Sequence, residues 1–231
     1  MFFVTLSRAR TDILDAVKES SVELFLTSSV HAVAHDIAKK VNLSKANKLV
    51  FIDTASEPKG EREDLEWQKI DRQALADAGF VVSDYTITGK SRSQIETDLD
   101  LFDCIYLSGG NTSYLLQQSQ ITGFDTLIKE LVQKKGKIYI GTSAGSIITG
   151  PKLLDYFKTE EVKLESKNCY GLVNFTIVPH WGSEDFKEKY LGERMEIVYK
   201  ESQVPLLLLT DNQYAHVQDG QMEIVDVKSG T

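Results

Sequence analysis

Apolar residues fall into short runs along the first two thirds of the chain: Glu23–Thr27, Lys48–Asp53, Phe80–Tyr85, Asp103–Leu107 and Lys137–Gly141. These runs are mostly apolar with little alternation, the pattern of strands covered on both faces. Segments with helical spacing of apolar residues lie between them. His31–Val41 follows the first run, Asp64–Ala78 follows the second, and Phe124–Lys135 precedes the fifth. Strands alternating with helices predict right-handed βαβ units and a parallel sheet with helices on both faces. The last third reads differently. Val173–Val178, Pro205–Thr210, Tyr214–Gln218 and Met222–Val227 are strand-like, and Asp219-Gly220 is a hairpin signal between the last two. The expected fold is therefore α/β, a three-layer, doubly wound, mostly parallel sheet with an antiparallel edge. No linker rich in Pro, Gly or Ser breaks the pattern, so residues 23–231 are expected to form one domain, preceded by an N-terminal extension over residues 1–22.

Two strand ends carry features beyond folding. Ile138-Tyr-Ile-Gly-Thr-Ser-Ala-Gly-Ser146 runs from an apolar strand through Gly141-Thr-Ser-Ala-Gly145 into a helix-like segment. This is G-x-S-x-G in its strand–turn–helix context, in which a tight turn projects the Ser143 hydroxyl while small neighbours let the backbones approach. The alternative, a phosphate-binding turn, fits poorly. The run lacks G-x-G, and Gly89-Lys90-Ser91 has Asp84 where a P-loop would need its first glycine. Gly109-Gly110-Asn111 ends another strand, where paired glycines can present backbone N–H groups to a ligand. An oxyanion hole built in this way takes one donor from such a loop and one from the residue after the nucleophile, which assigns Gly110 and Ala144. Asn111 is a candidate substrate contact and, equally, a helix cap.

A nucleophilic serine needs a base, and the chain has four histidines. His180 follows Phe175-Thr-Ile-Val-Pro179, at the C-terminal strand end where sites gather in open α/β sheets. His31 and His35 stand at i, i+4 spacing without an acidic cluster, so packing or surface roles are expected for them rather than a metal site. His216 sits inside a late strand and reads as structural. The carboxylate that would orient His180 stays open on these grounds: Glu160 and Glu161 lie between Ser143 and His180, Asp155 and Glu165 are nearby, and Asp211 ends another strand.

The net charge of −8 and pI near 5.1 argue against nucleic acid as a main partner. The two cysteines, Cys104 and Cys169, form no C-x-x-C pair and are expected to be buried thiols. No apolar run reaches the roughly 20 residues that cross a bilayer. The first ten residues place apolar before basic, the reverse of a secretory leader, so a cytoplasmic location is expected.

Four motifs taken in order, Ser108-Gly-Gly-Asn-Thr112, Gly141-Thr-Ser-Ala-Gly145 with Pro151 after it, Ile177-Val-Pro-His180 and Leu209-Thr-Asp-Asn212, resemble the peptidase S51 family, which includes aspartyl dipeptidases. The resemblance runs from about Glu23 to Val227. It implies a fold like the glutaminase domain of class I amidotransferases and a serine hydrolase acting on small peptides. Ser143 would be the nucleophile, His180 the base, and Gly110 and Ala144 the oxyanion donors. The third member would fall at Glu160 or Glu161, where relatives commonly carry Asp. Arg194 would hold the side chain of an N-terminal Asp in the substrate. No metal or organic cofactor is implied, and a monomer or homodimer is expected. The competing readings are an esterase or amidase on the same scaffold and a catalytically silent ligand-binding member. A glutamine amidotransferase would need Cys at position 143.

Overall fold

The apolar runs form strands β1 (Glu23–Thr27), β2 (Lys48–Ile52), β3 (Val81–Tyr85), β4 (Cys104–Leu107) and β5 (Ile138–Thr142), each within a residue or two of its expected place. The structure is a computed structural model and describes residues 21–59, 65–159, 161–190, 196, 199–200 and 203–227. With β8 (Gln213–Gln218) and β9 (Gln221–Asp226), these strands make a seven-stranded sheet in the order β3-β2-β4-β5-β1-β8-β9. The first five are parallel, whereas β8 and β9 run antiparallel at one edge. The Asp219-Gly220 turn joins β8 to β9 with positive φ at both residues, 48° and 80°.

Burial on both faces explains the apolar strands β1, β2, β4 and β5, while β3 at the sheet edge is only partly covered. Leu24, Leu26, Ile105 and Leu107 point into one core, against Leu115, Leu116, Leu127 and Ile128. Phe25, Leu49, Cys104 and Tyr106 point into the other, against Ile37 and Leu75. The helices that cover the sheet are α1 (Ala34–Lys40), α2 (Glu66–Asp77), α3 (Arg92–Leu99), α4 (Thr112–Thr122) and α5 (Phe124–Gln133). In α5 the buried residues are Phe124, Leu127, Ile128, Leu131 and Val132, an i, i+3, i+4, i+7, i+8 stripe. A single turn, α6 (Ala144–Ile147), follows β5, and α7 (Lys187–Tyr190) comes after the next strand. The helix after Ser143 is thus shorter than its sequence suggests.

The expected antiparallel edge holds for β8 and β9. The other two late strands form something else. β6 (Thr176–Val178) and β7 (Leu206–Leu208) leave the main sheet and pair parallel to each other, Val178 opposite Leu208. Their C-terminal ends therefore sit side by side. The bonds Leu209 N–H to Val178 O (3.0 Å) and Trp181 N–H to Leu209 O (2.9 Å) carry the pairing past the strands. The expected N-terminal extension lies almost entirely outside the described residues. No helix among the described residues is long and apolar enough to cross a membrane.

Candidate active site

Ser143 occupies the junction of β5 and α6 at φ 50°, ψ −106°, a conformation few non-glycine residues adopt. The surrounding structure holds it there. Its N–H donates to Thr27 O at 3.1 Å, and the N–H groups of Ser146 and Ile147 both donate to its carbonyl. The Ser146 hydroxyl, fully buried, ties Thr27 O and Gly141 O at 2.7 and 2.8 Å. The flanking glycines are there for space. A Cβ on Gly141 would stand 2.6 Å from Gly145 O, and one on Gly145 would overlap the carbonyl of Leu107. The elbow is thus packed against β4, whose C-terminal loop carries the paired glycines.

That loop lies against the serine. A Cβ on Gly109 would be 3.4 Å from Ser143 Cβ. Gly110 adopts φ 138°, and a side chain there would strike the carbonyl of Ala55. Asn111 N–H is anchored to that same carbonyl at 2.6 Å. Among the described residues, no protein acceptor is hydrogen-bonded to the N–H groups of Gly110 or Ala144. Asn111 itself caps α4, its side chain accepting from Tyr114 N–H at 3.0 Å, and it lines a cavity beside Ser143.

His180 follows β6 and Pro179, also at positive φ, 61°. Its Nε2 lies 3.1 Å from Ser143 Oγ, and its Nδ1 lies 2.7 Å from Asp211 Oδ1. Asp211 stands just past β7, so the parallel pairing of β6 with β7 delivers the carboxylate to the imidazole. Ser28, fully buried after β1, links the two halves. Its hydroxyl accepts the backbone N–H of His180 and donates to Asp211 Oδ1 at 3.0 Å. The hydrogen bond from His180 holds the Asp211 carboxyl below the usual carboxylate range, with the His180 charge and Ser28 adding to it against partial burial. The Phe186 ring stacks on the His180 imidazole at 4.1 Å between centroids.

The carboxylate at His180 Nδ1 is Asp211 and not the expected Glu161. Thr159 is drawn toward α4, its N–H on Ser113 Oγ (3.1 Å) and its Oγ1 on Asn111 Oδ1 (3.2 Å). Glu161 is exposed, and the position at Nδ1 is taken by Asp211. Glu160 and Arg194 lie outside the described residues. Of the other candidates, Asp155 pairs with Lys167 and Glu165 is exposed. His35 is exposed, and His216 stacks on Phe25 between Glu23 and Glu223, as a structural residue would. Sequence reasoning passed over Ser28, Phe186 and the pair of His31 with Asp71, none of which carries a local signature. No group of three or more His, Cys, Asp or Glu that could hold a metal occurs among the described residues.

Two cavities, 380 and 400 Å³, meet at Ser143 and share Gly110, Lys59 and Phe186 in their walls. The first extends past Asn111 toward Tyr156 and Thr159, the second past His180 toward Trp67 and His31.

Comparison with known proteins places this geometry in context. Residues 20–225 match peptidase family S51. An uncharacterized peptidase of Listeria monocytogenes is 36% identical over 170 residues, 71% of this chain and 80% of its own length. Peptidase E of Streptomyces coelicolor is 32% identical over 152 residues, 64% of this chain and 60% of its own. Among solved structures, a candidate peptidase E protein from Listeria monocytogenes EGD-e superimposes with a TM-score of 0.78 at 29% identity, covering 90% of this chain and all of that one.

Proposed function

Because this chain belongs to peptidase family S51, we propose that it is a serine peptidase of short peptides, with Ser143 as nucleophile, His180 as general base and Asp211 as the carboxylate that orients it. The observation that carries the reading is the unbroken relay from Asp211 Oδ1 to His180 Nδ1 at 2.7 Å and from His180 Nε2 to Ser143 Oγ at 3.1 Å. Asp211 accepts from Nδ1–H, which leaves Nε2 as the acceptor facing the serine. Ser143 attacks the peptide carbonyl while Nε2 takes its proton. The oxyanion that forms is met by the N–H groups of Gly110 and Ala144, held in place before the reaction starts. The amine then leaves with the proton from Nε2, and water repeats the two steps on the acyl-enzyme.

Short substrates suit the pair of cavities on either side of Ser143, and the resemblance to aspartyl dipeptidases makes an N-terminal Asp the first side chain to try, with Arg194 as its proposed partner. The test is hydrolysis of a dipeptide panel that includes Asp-Xaa members, together with labelling by a fluorophosphonate. Cleavage of at least one dipeptide and labelling at Ser143 are the expected results. A protein that neither labels nor cleaves would instead be a ligand-binding member of the family.

A further inference from the structure

His31 takes no part in the acyl-transfer steps, yet it lines the 400 Å³ cavity together with Ser143 and His180. Its Nδ1 lies 3.0 Å from Asp71 Oδ1, with Ser29 Oγ also at 3.0 Å. Asp71 is buried on α2, 3% exposed, and its second oxygen accepts the hydroxyl of fully buried Tyr106 at 3.1 Å. Both oxygens of this carboxylate are therefore occupied. The hydrogen bond to Asp71 raises the proton affinity of His31 above that of an ordinary histidine, against the cost of partial burial and with help from the charges of Asp71 and Asp211. Nδ1–H is committed to Asp71, and among the described residues no protein group is hydrogen-bonded to Nε2. Lys59 also lines this cavity, at its junction with the other. With both Asp71 oxygens occupied, His31 Nε2 and Lys59 are the groups this cavity offers a carboxylate.

The chemistry fixes which half of a substrate enters here. The leaving amine takes its proton from His180, so the leaving residue must lie on the His180 side of Ser143. Among the described residues, His180 lines the 400 Å³ cavity and is absent from the walls of the other. When the leaving group is a single residue, its free α-carboxylate sits one carbon beyond the nitrogen that departs.

We propose that His31, with Lys59 in the same cavity, binds the free α-carboxylate of the residue that follows the scissile bond, so that the enzyme selects substrates with one residue on the leaving side. Trp67 supplies the apolar wall for that residue's side chain. Its ring edge lies 3.6 Å from where a Cβ on Gly109 would stand, and it is 38% exposed. Charge-assisted hydrogen bonds to a carboxylate discriminate strongly against a neutral carboxamide, because the amide keeps the shape and loses the charge.

This inference rests on the peptidase reading, and one experiment separates the two. The best-cleaved dipeptide of the panel is compared with its C-terminal carboxamide, in wild type and in His31→Gln, whose amide can still hydrogen-bond Asp71. Wild type is expected to favour the acid by roughly tenfold or more in kcat/KM. His31→Gln is expected to bring the acid-to-amide ratio near unity, chiefly through a higher KM for the acid. Equal cleavage of acid and amide by wild type, or an unchanged ratio in His31→Gln, overturns the subsite and leaves the peptidase standing. Absence of Ser143-dependent cleavage of either compound overturns both.

Discussion

Ser143→Ala is expected to lower peptide hydrolysis by about 10⁴-fold or more while the protein still folds. The size follows from what is removed. Without Oγ there is no acyl-enzyme, and His180 has nothing to deprotonate except water. What remains is binding and the oxyanion donors, which in serine hydrolases sustain only a small residue of the rate. The fold should survive because the hydroxyl makes a single described hydrogen bond, to His180 Nε2. The backbone bonds that hold the elbow, Ser143 N–H to Thr27 O and Ser146 N–H to Ser143 O, do not involve the side chain. Alanine meets the same cost at φ 50° that serine already bears. Steady-state rates on the best dipeptide, with a thermal melt of each protein, make the measurement. A variant that keeps full activity removes the nucleophile from the proposal.

Asp211→Asn is expected to cost about 10⁴-fold in kcat, and Glu161→Gln less than about twofold. Asparagine preserves the volume of the side chain but not its role as a pure acceptor. Its amide can turn NH₂ toward Nδ1, which stabilises the tautomer with the proton on Nε2, and that tautomer cannot accept from Ser143. Glu161 is exposed and should tolerate the change. Near-normal turnover in Asp211→Asn with a collapse in Glu161→Gln would return the orienting role to the loop before β6.

The contrast between these two carboxylates shows where reading the chain stops. Strands β1, β2, β4 and β5 were legible because each is buried on both faces, so their composition alone marks them, whereas β3 is a partly exposed edge strand. Ser143 was legible because its glycines answer a local steric demand, visible in the spacing of Gly141 and Gly145. His180 was singled out by its place at the end of a strand. Asp211 stood in the same kind of place, after Leu206–Leu208, and in the motif Leu209-Thr-Asp-Asn212. Its selection needed one further fact, that β6 and β7 pair parallel and outside the main sheet, and strand partnership is written in no local pattern. Ser28, Phe186 and the His31–Asp71 pair lie further out of reach. Each meets its partner from a distant part of the chain or, for Phe186, across the turn that follows His180. Their side chains are individually ordinary.

The proposed relay also spans two bodies of unequal durability. Ser143 belongs to a seven-stranded sheet with a core on each face, whereas His180 and Asp211 hang from two strands of three residues each. Small units with few backbone bonds open at lower free energy than the global transition. Heating should therefore extinguish turnover before the main sheet melts, with the amide of Leu209, bonded to Val178, exchanging its hydrogen early. If activity and global melting coincide instead, the small sheet is as durable as the large one. If turnover is lost first, heat inactivation of this protein is the opening of a small unit beside an intact sheet, reversible on cooling for as long as the larger sheet persists.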